Sequence, residues 1–354
     1  MKIGFHTNRL SLRGTEIALY DYAYQNQKLL RNESIVFYRK NYSAESSVVE
    51  KFSKQFQLFP YESQQELNRI IEDQKVDLTY FIKSGERDGA ICESSPSLIH
   101  AVFPTKLKEF HGDKYAFVSQ WLSKEYSNHK VPFVPHMIEL PDNQGNLRSD
   151  LSIPETATVL GWYGGSDSFN LDFVKSEVLK AVEKRRDLCF LFMNMVPFAK
   201  HERLIFLPGN SDLIYKVQFI NSCDGMIHAR GIGESFGLAC GEFSIKGKPV
   251  ITYALSPQRS HIEILGEKAI LYKDKQDLSN IFMGFNRQFQ HQKNWDAYSD
   301  DFSSKVVMKK FDEVFIRGMN LMDVEISAID QIMIQKFRFK RKLRNFEKKL
   351  YLLS

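Results

Sequence analysis

The sequence predicts an α/β protein with two Rossmann-like domains, each built around a parallel sheet. The chain has 354 residues, of which 43% are hydrophobic, and this is enough for two ordinary cores. Short apolar runs alternate with helical patterns, as they do in doubly wound sheets. A polar, turn-rich segment at residues 142–150 separates the two halves. We therefore expect domains at residues 1–145 and 146–315, followed by a basic helical extension at 316–354.

Charge and cysteine usage narrow the class of protein. The formal net charge is +5, but residues 331–354 carry eight Lys or Arg against Glu347 alone, which leaves the rest of the chain near −2. The body therefore lacks the basic surface of a nucleic-acid binder. The four cysteines form no CxxC pair and indicate reduced core residues. No signal peptide and no run of about 20 apolar residues is found, so we expect a soluble, cytoplasmic protein.

In the first half, the elements alternate as a parallel sheet requires. Strands are predicted at residues 3–6, 34–38, 77–81, 96–102 and 115–118, with a last strand at 131–136. Helices are predicted at residues 63–73 and 120–127, and Thr15 is expected to cap a helix that starts at Glu16. Because ligands of such sheets bind at the carboxyl ends of strands, the loop at residues 8–15 is a candidate binding loop.

The second half repeats this order. A strand at residues 154–161 leads to Gly164 and Gly165, where a Gly-Gly turn brings backbone close to a ligand, and then to a helix ending near residue 184. Further strands are predicted at 188–193, 203–206, 225–228 and 269–272, and helices at 212–221 and 277–286. From residue 302 the chain is predicted to be helical, with a last helix at 330–353.

The most informative stretch runs from strand 225–228 to Thr252. Gly231 and Gly233 predict a flexible loop, a helix opens near Phe236, and Gly247 ends that helix before the next strand. The unpaired N–H groups of a helix N-terminus favour anions. Ionised carboxylates can accept hydrogen bonds from adjacent sugar hydroxyls. Phosphate on the amides and hydroxyls on Glu234 and Glu242 together predict a nucleotide-sugar site.

These residues also resemble a known family. The run Glu234-Ser-Phe-Gly-Leu, followed by Glu242 and Gly247-Lys-Pro-Val, is similar to the Glu-x7-Glu signature of retaining GT-B glycosyltransferases, which include sucrose synthases and bacterial mannosyltransferases. The resemblance implies two Rossmann-like domains facing across a cleft, with the last helix returning to the first domain. It implies that Glu234 contacts the donor sugar and that Glu242 holds the ribose. The other donor-binding candidates are Gly164, Gly165, His228, Ser235, Phe236, Gly237 and Leu238.

The resemblance also suggests candidates in the first domain. His100 matches a histidine that contacts the donor sugar in relatives, although a hydrogen-bonded structural histidine is the alternative. Gly14-Thr15-Glu16 is similar to the family's glycine-rich loop, with an ordinary helix cap as the alternative. His6, His111 and His136 are weaker candidates.

One departure concerns the leaving diphosphate. Relatives carry an arginine just after the glycine of the first strand in the second domain, and Trp162 stands there in this chain. Relatives also have a lysine a few residues later, whereas the nearest one here is Lys175. Arg230 is the best substitute cation and a catalytic candidate beside Glu234 and His100; Lys175 is a poorer one.

The expected activity is retaining transfer of a hexosyl group from a UDP- or GDP-sugar to a glycan or glycolipid hydroxyl. No cofactor, essential metal or nucleic acid is expected. The alternatives are a GT-B nucleotide-sugar 2-epimerase or phosphorylase, and a catalytically silent GT-B binding module. The basic C-terminal helix is expected to be a solvated or partly disordered helix along the first domain, and attachment to an anionic membrane surface or lipid-linked acceptor is the alternative.

Overall fold

The computed structural model describes residues 1–11, 13–42 and 44–353, so Leu12 in the candidate loop at residues 8–15 lies outside the described residues. The chain divides into two compact units. Unit 1 comprises Met1–Met137 and Asp301–Phe339, and unit 2 comprises Ile138–Asp300 and the chain from Lys340 onward. Each unit therefore contains two separate stretches of sequence.

The N-terminal part of unit 1 alternates strands and helices. Its elements are β1 (Lys2–Thr7), α1 (Gly14–Leu30), β2 (Glu33–Arg39), α2 (Ser46–Ser53), β3 (Gln57–Tyr61), α3 (Gln64–Asp73), β4 (Leu78–Lys83), β5 (Ser97–Ala101), β6 (Lys114–Phe117) and α4 (Gln120–Ser127). Ser63 and Ser119 accept backbone N–H groups of Glu66 and Leu122, and these side-chain caps begin α3 and α4.

Unit 2 also alternates strands and helices, and it contains in addition one pair of two-residue strands. Its elements are β7 (Thr158–Tyr163), α5 (Asp172–Lys184), β8 (Leu188–Met193), β9 (Leu204–Leu207), α6 (Leu213–Ser222), β10 (Gly225–His228), β11 (Gly233–Glu234), α7 (Leu238–Ile245), β12 (Val250–Tyr253), β13 (Gln258–Arg259), α8 (Ser260–Leu265), β14 (Ala269–Tyr272), α9 (Lys275–Gly284) and α10 (Arg287–His291).

The C-terminal part is helical, as the sequence predicts. It contains α11 (Ser299–Phe302), α12 (Ser304–Phe311), a π-helical turn at Asp312–Ile316 and the long helix α13 (Ala328–Leu353). Residues 301–339 belong to unit 1, whereas the second half of α13 belongs to unit 2. The predicted boundaries at residues 145/146 and 315/316 therefore differ from the divisions of the two units.

Both units contain a six-stranded parallel sheet, which confirms the predicted α/β fold class. The strand order is β3-β2-β1-β4-β5-β6 in unit 1 and β14-β12-β10-β7-β8-β9 in unit 2, and β11 pairs with β13 in a separate small sheet. The strand order reverses between β1 and β4 and between β7 and β10. In open parallel sheets ligands bind at the carboxyl ends of such switch-point strands. In unit 2 these ends lead into the Gly164-Gly165 segment and the loop before Glu234.

Several local predictions were wrong. Residues 131–136 form no strand, and Phe133 makes only an isolated bridge to Phe117. Pro132 and Pro135 lack the N–H groups that a paired strand must donate. The helix α1 starts at Gly14 with Arg13 at the cap position and no side-chain cap, so Thr15 does not cap it. Helix α2 and strand β3 were not predicted.

An aromatic cluster explains why residues 301–339 belong to unit 1. Phe311 packs against Phe5, Tyr22 and Tyr80, with ring centroids 5.4–6.4 Å apart. Phe315 packs against the rings of Tyr80 and His100 at 5.5 and 5.4 Å. Burial of large aromatic side chains is a major source of stability in a core. The sheet of unit 1 therefore completes its core with residues near the C-terminus.

Buried histidines in unit 1 predict a loss of stability in mild acid. Burial lowers the pKa of both His6 and His100 to about 3. In the unfolded chain the pKa is about 6.5, so below that pH the unfolded state binds protons that the folded state does not. The free energy of unfolding therefore falls as the pH drops from 6.5 toward 3, by up to about 1.4 kcal/mol per pH unit for each histidine.

This pH dependence can be checked by urea unfolding at neutral pH and at about pH 5. The variant His6→Phe keeps an aromatic ring beside Phe81 (ring centroids 4.7 Å apart in the wild type) and leaves Tyr61 its hydrogen bond from Arg39. We expect the free energy of unfolding of this variant to fall less between the two pH values than that of the wild type, because the contribution of one histidine is missing. Equal slopes for the two proteins would contradict the assignment to His6.

In unit 2, a buried acidic residue connects distant segments. Asp224 accepts hydrogen bonds from Arg148 Nη2 at 3.0 Å and from the backbone N–H of Val159 at 2.8 Å. Its second oxygen lies 3.0 Å from His291 Nε2 and 3.4 Å from Arg287 Nε. Only 2% of the Asp224 side chain is exposed. This carboxylate links the segment before β7 with the start of β10 and with α10.

Candidate functional site

The candidate site starts where β10 ends. The backbone turns back through residues 229–232 to β11, which pairs with β13 through Gly233–Gln258 and Glu234–Arg259. Gly233 has φ +78°, and a β-carbon there would overlap the carbonyl oxygen of Gln258. Only glycine accommodates both the left-handed conformation and the close approach. This pairing fixes the backbone of Glu234.

Gly237 is the residue immediately before helix α7. It has φ +100°, and a β-carbon there would lie 2.8 Å from the β-carbon of His261. The helix begins at Leu238 rather than at Phe236, and Gly247 with φ +66° follows its end as predicted. Ser235 and Leu238 are half-buried at the helix start, while Phe236 is 2% exposed and packs against Tyr298. Phe236 is therefore a packing residue beneath the loop.

Glu234 is held by two basic side chains of the same loop region. Arg230 Nη1 donates to Glu234 Oε2 at 2.7 Å, and His228 Nε2 lies 3.2 Å from Oε1. Burial alone would raise the pKa of Glu234, but the hydrogen bonds from His228 and Arg230 and the positive charge of Arg230 outweigh it, and the pKa lies below its ordinary value. Glu234 is therefore an ionised, oriented carboxylate that keeps 21% of its side chain exposed.

A chain of hydrogen bonds extends behind His228. Its Nδ1 lies 2.9 Å from Thr252 Oγ1, and Thr252 Oγ1 lies 2.9 Å from His261 Nε2. Burial lowers the pKa of His261 well below 6.5, so His261 is neutral. One directed arrangement satisfies every pair: His261 Nε2 donates to Thr252, Thr252 donates to His228 Nδ1, and His228 Nε2 donates to Glu234. The chain fixes the tautomer and orientation of His228.

Glu242, in the second turn of α7, has different partners. Lys216 Nζ donates to its Oε1 at 2.8 Å, and the Tyr163 hydroxyl donates to Oε2. Burial, followed by the charge of Glu242, raises the pKa of Tyr163 well above its ordinary value, so Tyr163 remains a donor. Each carboxylate oxygen can accept a second hydrogen bond. A ligand hydroxyl could therefore be accepted without breaking the contacts to Lys216 and Tyr163.

The segment after β7 connects to the Glu234 loop. Gly164 O accepts a hydrogen bond from Asn194 Nδ2 at 2.8 Å, and Gly165 O accepts one from the N–H of Ser168. Asn170 Oδ1 accepts from the N–H of Gly231 at 2.8 Å. The helix α5 starts only at Asp172 and has no side-chain cap, so the Ser and Asp residues after Gly165 form a turn instead of the predicted cap.

The positively charged side chains near the Gly164-Gly165 segment include one that the sequence did not indicate. Trp162 is a core residue, 2% exposed, with its ring 5.5 Å from that of Phe169. Lys175 forms a surface ion pair with Asp172 at 2.9 Å. Lys348, from α13, donates to Gly231 O at 2.6 Å, next to Arg230. Arg230 and Lys348 are therefore cations on this loop, and the sequence indicated only the first.

The histidine candidate of unit 1 is a structural residue. His100 is fully buried, and its Nδ1 lies 2.5 Å from the Tyr80 hydroxyl while its Nε2 lies 2.8 Å from Val134 O. Both ring nitrogens are thus used within the core, and we assign no catalytic role to His100. His6, His111 and His136 are also buried.

Gly14, the other candidate of unit 1, is the first residue of α1. Two residues later, Glu16 accepts hydrogen bonds from Thr7 and Ser11 at 3.2 and 3.0 Å, and burial raises its pKa. These contacts tie the start of α1 to the carboxyl end of β1. They describe a structured loop and do not identify a ligand.

Sequence reasoning missed Lys216, His261 and Lys348 as parts of the site. Tyr163 ends β7 and Thr252 lies one residue before the end of β12, and the rule that ligands bind at the carboxyl ends of parallel strands could have indicated both. No comparable signal marks the other three. Lys216 and His261 lie in helices, and Lys348 reaches the Gly231 loop only through the fold of the C-terminal helix.

Two further observations concern the described part of the chain, residues 1–353 without residues 12 and 43. No helix there is both long and apolar enough to cross a membrane. In the same residues, no group of three or more His, Cys, Asp or Glu side chains is placed to hold a metal ion. The four cysteines are buried free thiols, as predicted for core residues.

No known protein-family profile and no curated protein matches the sequence. Solved structures do match the fold. HepE from Anabaena, crystallised with UDP and glucose, has a TM-score of 0.65 at 14% identity, over 88% of this chain and 98% of that one. A glycosyltransferase from Rickettsia africae has a TM-score of 0.64 at 13% identity, over 87% and 96% of the two chains. A Listeria monocytogenes protein described as a UDP-N-acetylglucosamine 2-epimerase has a TM-score of 0.55 at 14% identity, over 88% and 94%.

At these low identities the likeness concerns the fold. The chain has the α/β fold with two six-stranded parallel sheets found in GT-B glycosyltransferase structures. The chemistry must be argued from its own residues.

Proposed function

We propose that the protein is a glycosyltransferase that moves a sugar from a nucleotide diphosphate sugar to an acceptor hydroxyl. The observation that carries the proposal is the pair of differently held carboxylates around the start of α7. Glu234 is ionised and oriented by Arg230 and His228, and Glu242 is fixed by Lys216 and Tyr163. Two rigid acceptors beside a glycine-rich helix start suit the hydroxyls of a sugar and a ribose.

In this proposal Glu234 accepts hydrogen bonds from the donor sugar and opposes the positive charge that develops on it as the bond to the diphosphate breaks. Such electrostatic stabilisation is effective when the charged group is held in place before the reaction. Glu242 accepts hydrogen bonds from the ribose. The amides around Gly164, Gly165 and Gly237 face the phosphates.

The leaving diphosphate also needs positive charge. Trp162 cannot supply it, and Lys175 is paired at the surface. We propose that Arg230 and Lys348 together take this role. The support is that Lys348 Nζ is bound to Gly231 O, one residue from Arg230. Two cations on one loop would stabilise the negative charge that accumulates on the departing group.

Further details follow from the family resemblance. We propose a retaining reaction, a hexosyl donor linked to UDP or GDP, and a glycan or glycolipid acceptor, in the cytoplasm and without an essential metal. UDP is the first nucleotide to test, because HepE was crystallised with it.

The main competing function is a nucleotide-sugar 2-epimerase or a phosphorylase. The fold likeness to the Listeria protein favours testing the first of these. An epimerase would return an epimerised sugar, and a phosphorylase would release a sugar phosphate, where a transferase forms a glycoside. A catalytically silent binding module would bind nucleotide without consuming the donor, and the core position of Trp162 is the feature that supports this alternative.

The test is a panel of UDP-, GDP- and ADP-sugars with nucleotide release as the measured quantity. We expect release from one donor, and loss of release with Glu242→Ala. The exposed Glu202→Ala in the same unit is the matched control, because 83% of that side chain is exposed to solvent. Nucleotide-dependent thermal stabilisation should accompany release in the wild type. A wild type that shows neither release nor stabilisation would contradict the nucleotide-sugar function.

A further inference from the structure

The C-terminal helix α13 has two opposite faces. Its inner face is bound at both ends: Asn128 Nδ2 donates to Asp330 Oδ1 at 2.8 Å within unit 1, and Lys348 Nζ donates to Gly231 O at 2.6 Å within unit 2. Residues Met333, Ile334, Phe337, Arg341 and Arg344 of this face are half-buried. Ser327 caps the helix by accepting the N–H of Asp330. Each half of the helix is therefore attached to the unit to which it belongs.

The outer face carries an exposed apolar stripe. Phe339, Leu343, Phe346 and Leu350 are 61%, 53%, 63% and 54% exposed. At 3.6 residues per turn these four side chains lie within about 60° of one another, opposite the inner face. Ile332 extends the stripe and is 67% exposed. Exposed apolar groups that align in this way mark an interaction surface.

Exposed basic residues flank the stripe on both sides. Lys336 and Lys340 lie along one edge, and Arg338, Lys342 and Lys349 lie along the other. Glu347 is the sole acidic side chain in residues 331–354. An apolar strip with phenylalanines and basic edges matches an anionic bilayer surface, where apolar groups enter the acyl boundary and the cations contact lipid phosphates.

We propose that this outer face of α13 binds an anionic membrane surface, with Phe339, Leu343, Phe346 and Leu350 inserted and the flanking lysines on the headgroups. The inference goes beyond sugar transfer and does not depend on it. The inner face stays bound to the protein, so the helix need not detach in order to bind. A lipid surface fits better than a folded partner because the stripe is narrow, straight and basic along both edges.

The test is sedimentation of the full-length protein with vesicles. We expect binding to vesicles of equal parts phosphatidylglycerol and phosphatidylcholine, no binding to phosphatidylcholine alone, and weaker binding as salt increases. The combined variant Phe339→Gln, Leu343→Gln and Phe346→Gln should lose binding. Its control replaces Val196, Met319 and Met322 with Gln; these are 75%, 68% and 88% exposed, and the control should bind like the wild type.

The charges are tested separately. Replacing Lys340, Lys342 and Lys349 by Gln should weaken vesicle binding by roughly 100-fold, at about fivefold per lysine. Its control replaces Lys54, Lys108 and Lys309, which are 72%, 75% and 77% exposed, and should have little effect. Circular dichroism and the thermal midpoint establish that each variant is folded.

Several outcomes would overturn the proposal. One is equal binding to neutral and anionic vesicles, and another is undiminished binding by the stripe variant. A wild type that self-associates, with the stripe variant monomeric, would assign the face to a second copy of the chain. Competition by duplex DNA, with no vesicle binding, would assign the basic residues to nucleic acid.

Discussion

Glu234→Gln is expected to reduce kcat/KM for sugar transfer by about 10²- to 10³-fold, while the protein remains folded. The replacement keeps the size of the side chain but removes its charge. The ionised carboxylate is held by Arg230 at 2.7 Å and faces His228 at 3.2 Å, so its position is set before the donor binds. The amide can no longer oppose positive charge on the sugar, and Arg230 loses its ion-pair partner. Steady-state nucleotide release with the donor found in the panel measures the effect.

The matched control is Glu202→Gln, which removes a carboxylate in the same unit whose side chain is 83% exposed. It should leave kcat/KM unchanged. A Glu234→Gln enzyme with wild-type activity would show that this carboxylate has no part in the transition state. A large rise in KM with kcat unchanged would assign Glu234 to donor binding alone.

Asp224→Ala is expected to lower the free energy of unfolding of unit 2 by about 3–5 kcal/mol. The substitution leaves Arg148 buried without its carboxylate, and it removes the acceptor for the N–H of Val159. Breaking one partner of a buried ion pair is costly because the remaining charge stays desolvated. Arg148 keeps backbone acceptors such as Ser222 O and Ala157 O, but these do not neutralise its charge.

Urea unfolding followed by tryptophan fluorescence measures this effect, because Trp162 and Trp295 report on unit 2 and Trp121 on unit 1. The control is Asp172→Ala, which removes a 92% exposed partner of Lys175 and should cost less than about 1 kcal/mol. If Asp224→Ala unfolds at the wild-type urea concentration, the network around Asp224 is not a main support of unit 2.

Most strands and helices of the two units were predictable because the spacing of apolar residues and the positions of Gly and Pro are local properties of the sequence. Gly247 and Pro249 mark the end of α7, and Val250 begins β12, as expected from the chemistry of glycine and proline. Residues 131–136 have the apolar character of a strand, but their two prolines lack the N–H groups that a paired strand must donate. Which unit residues 301–339 join depends on Phe311 and Phe315 finding the core around Tyr80, and periodicity does not encode that contact.

The candidate site was predictable to the extent that its residues are close in sequence. His228, Arg230 and Glu234 lie within one loop, and the structure brings them together. Their functional roles stay predictions. Lys216 and Lys348 come from distant helices, and a single sequence carries no signal of such contacts. His100 is a candidate because its position matches a donor-contacting histidine of relatives, but strand ends also hold buried structural histidines.

Unit 1 is built from two separate stretches of the sequence, and this has a consequence for synthesis on the ribosome. Its sheet is encoded within the first 137 residues, but Phe311 and Phe315, which cover Phe5, Tyr80 and His100, follow the 163 residues from 138 to 300. At about 5–20 residues per second, roughly ten to thirty seconds pass between the synthesis of this sheet and the synthesis of Phe311 and Phe315. During this time the aromatic face of the sheet is not covered by these two side chains. The nascent chain is therefore expected to need protection of that face by a chaperone.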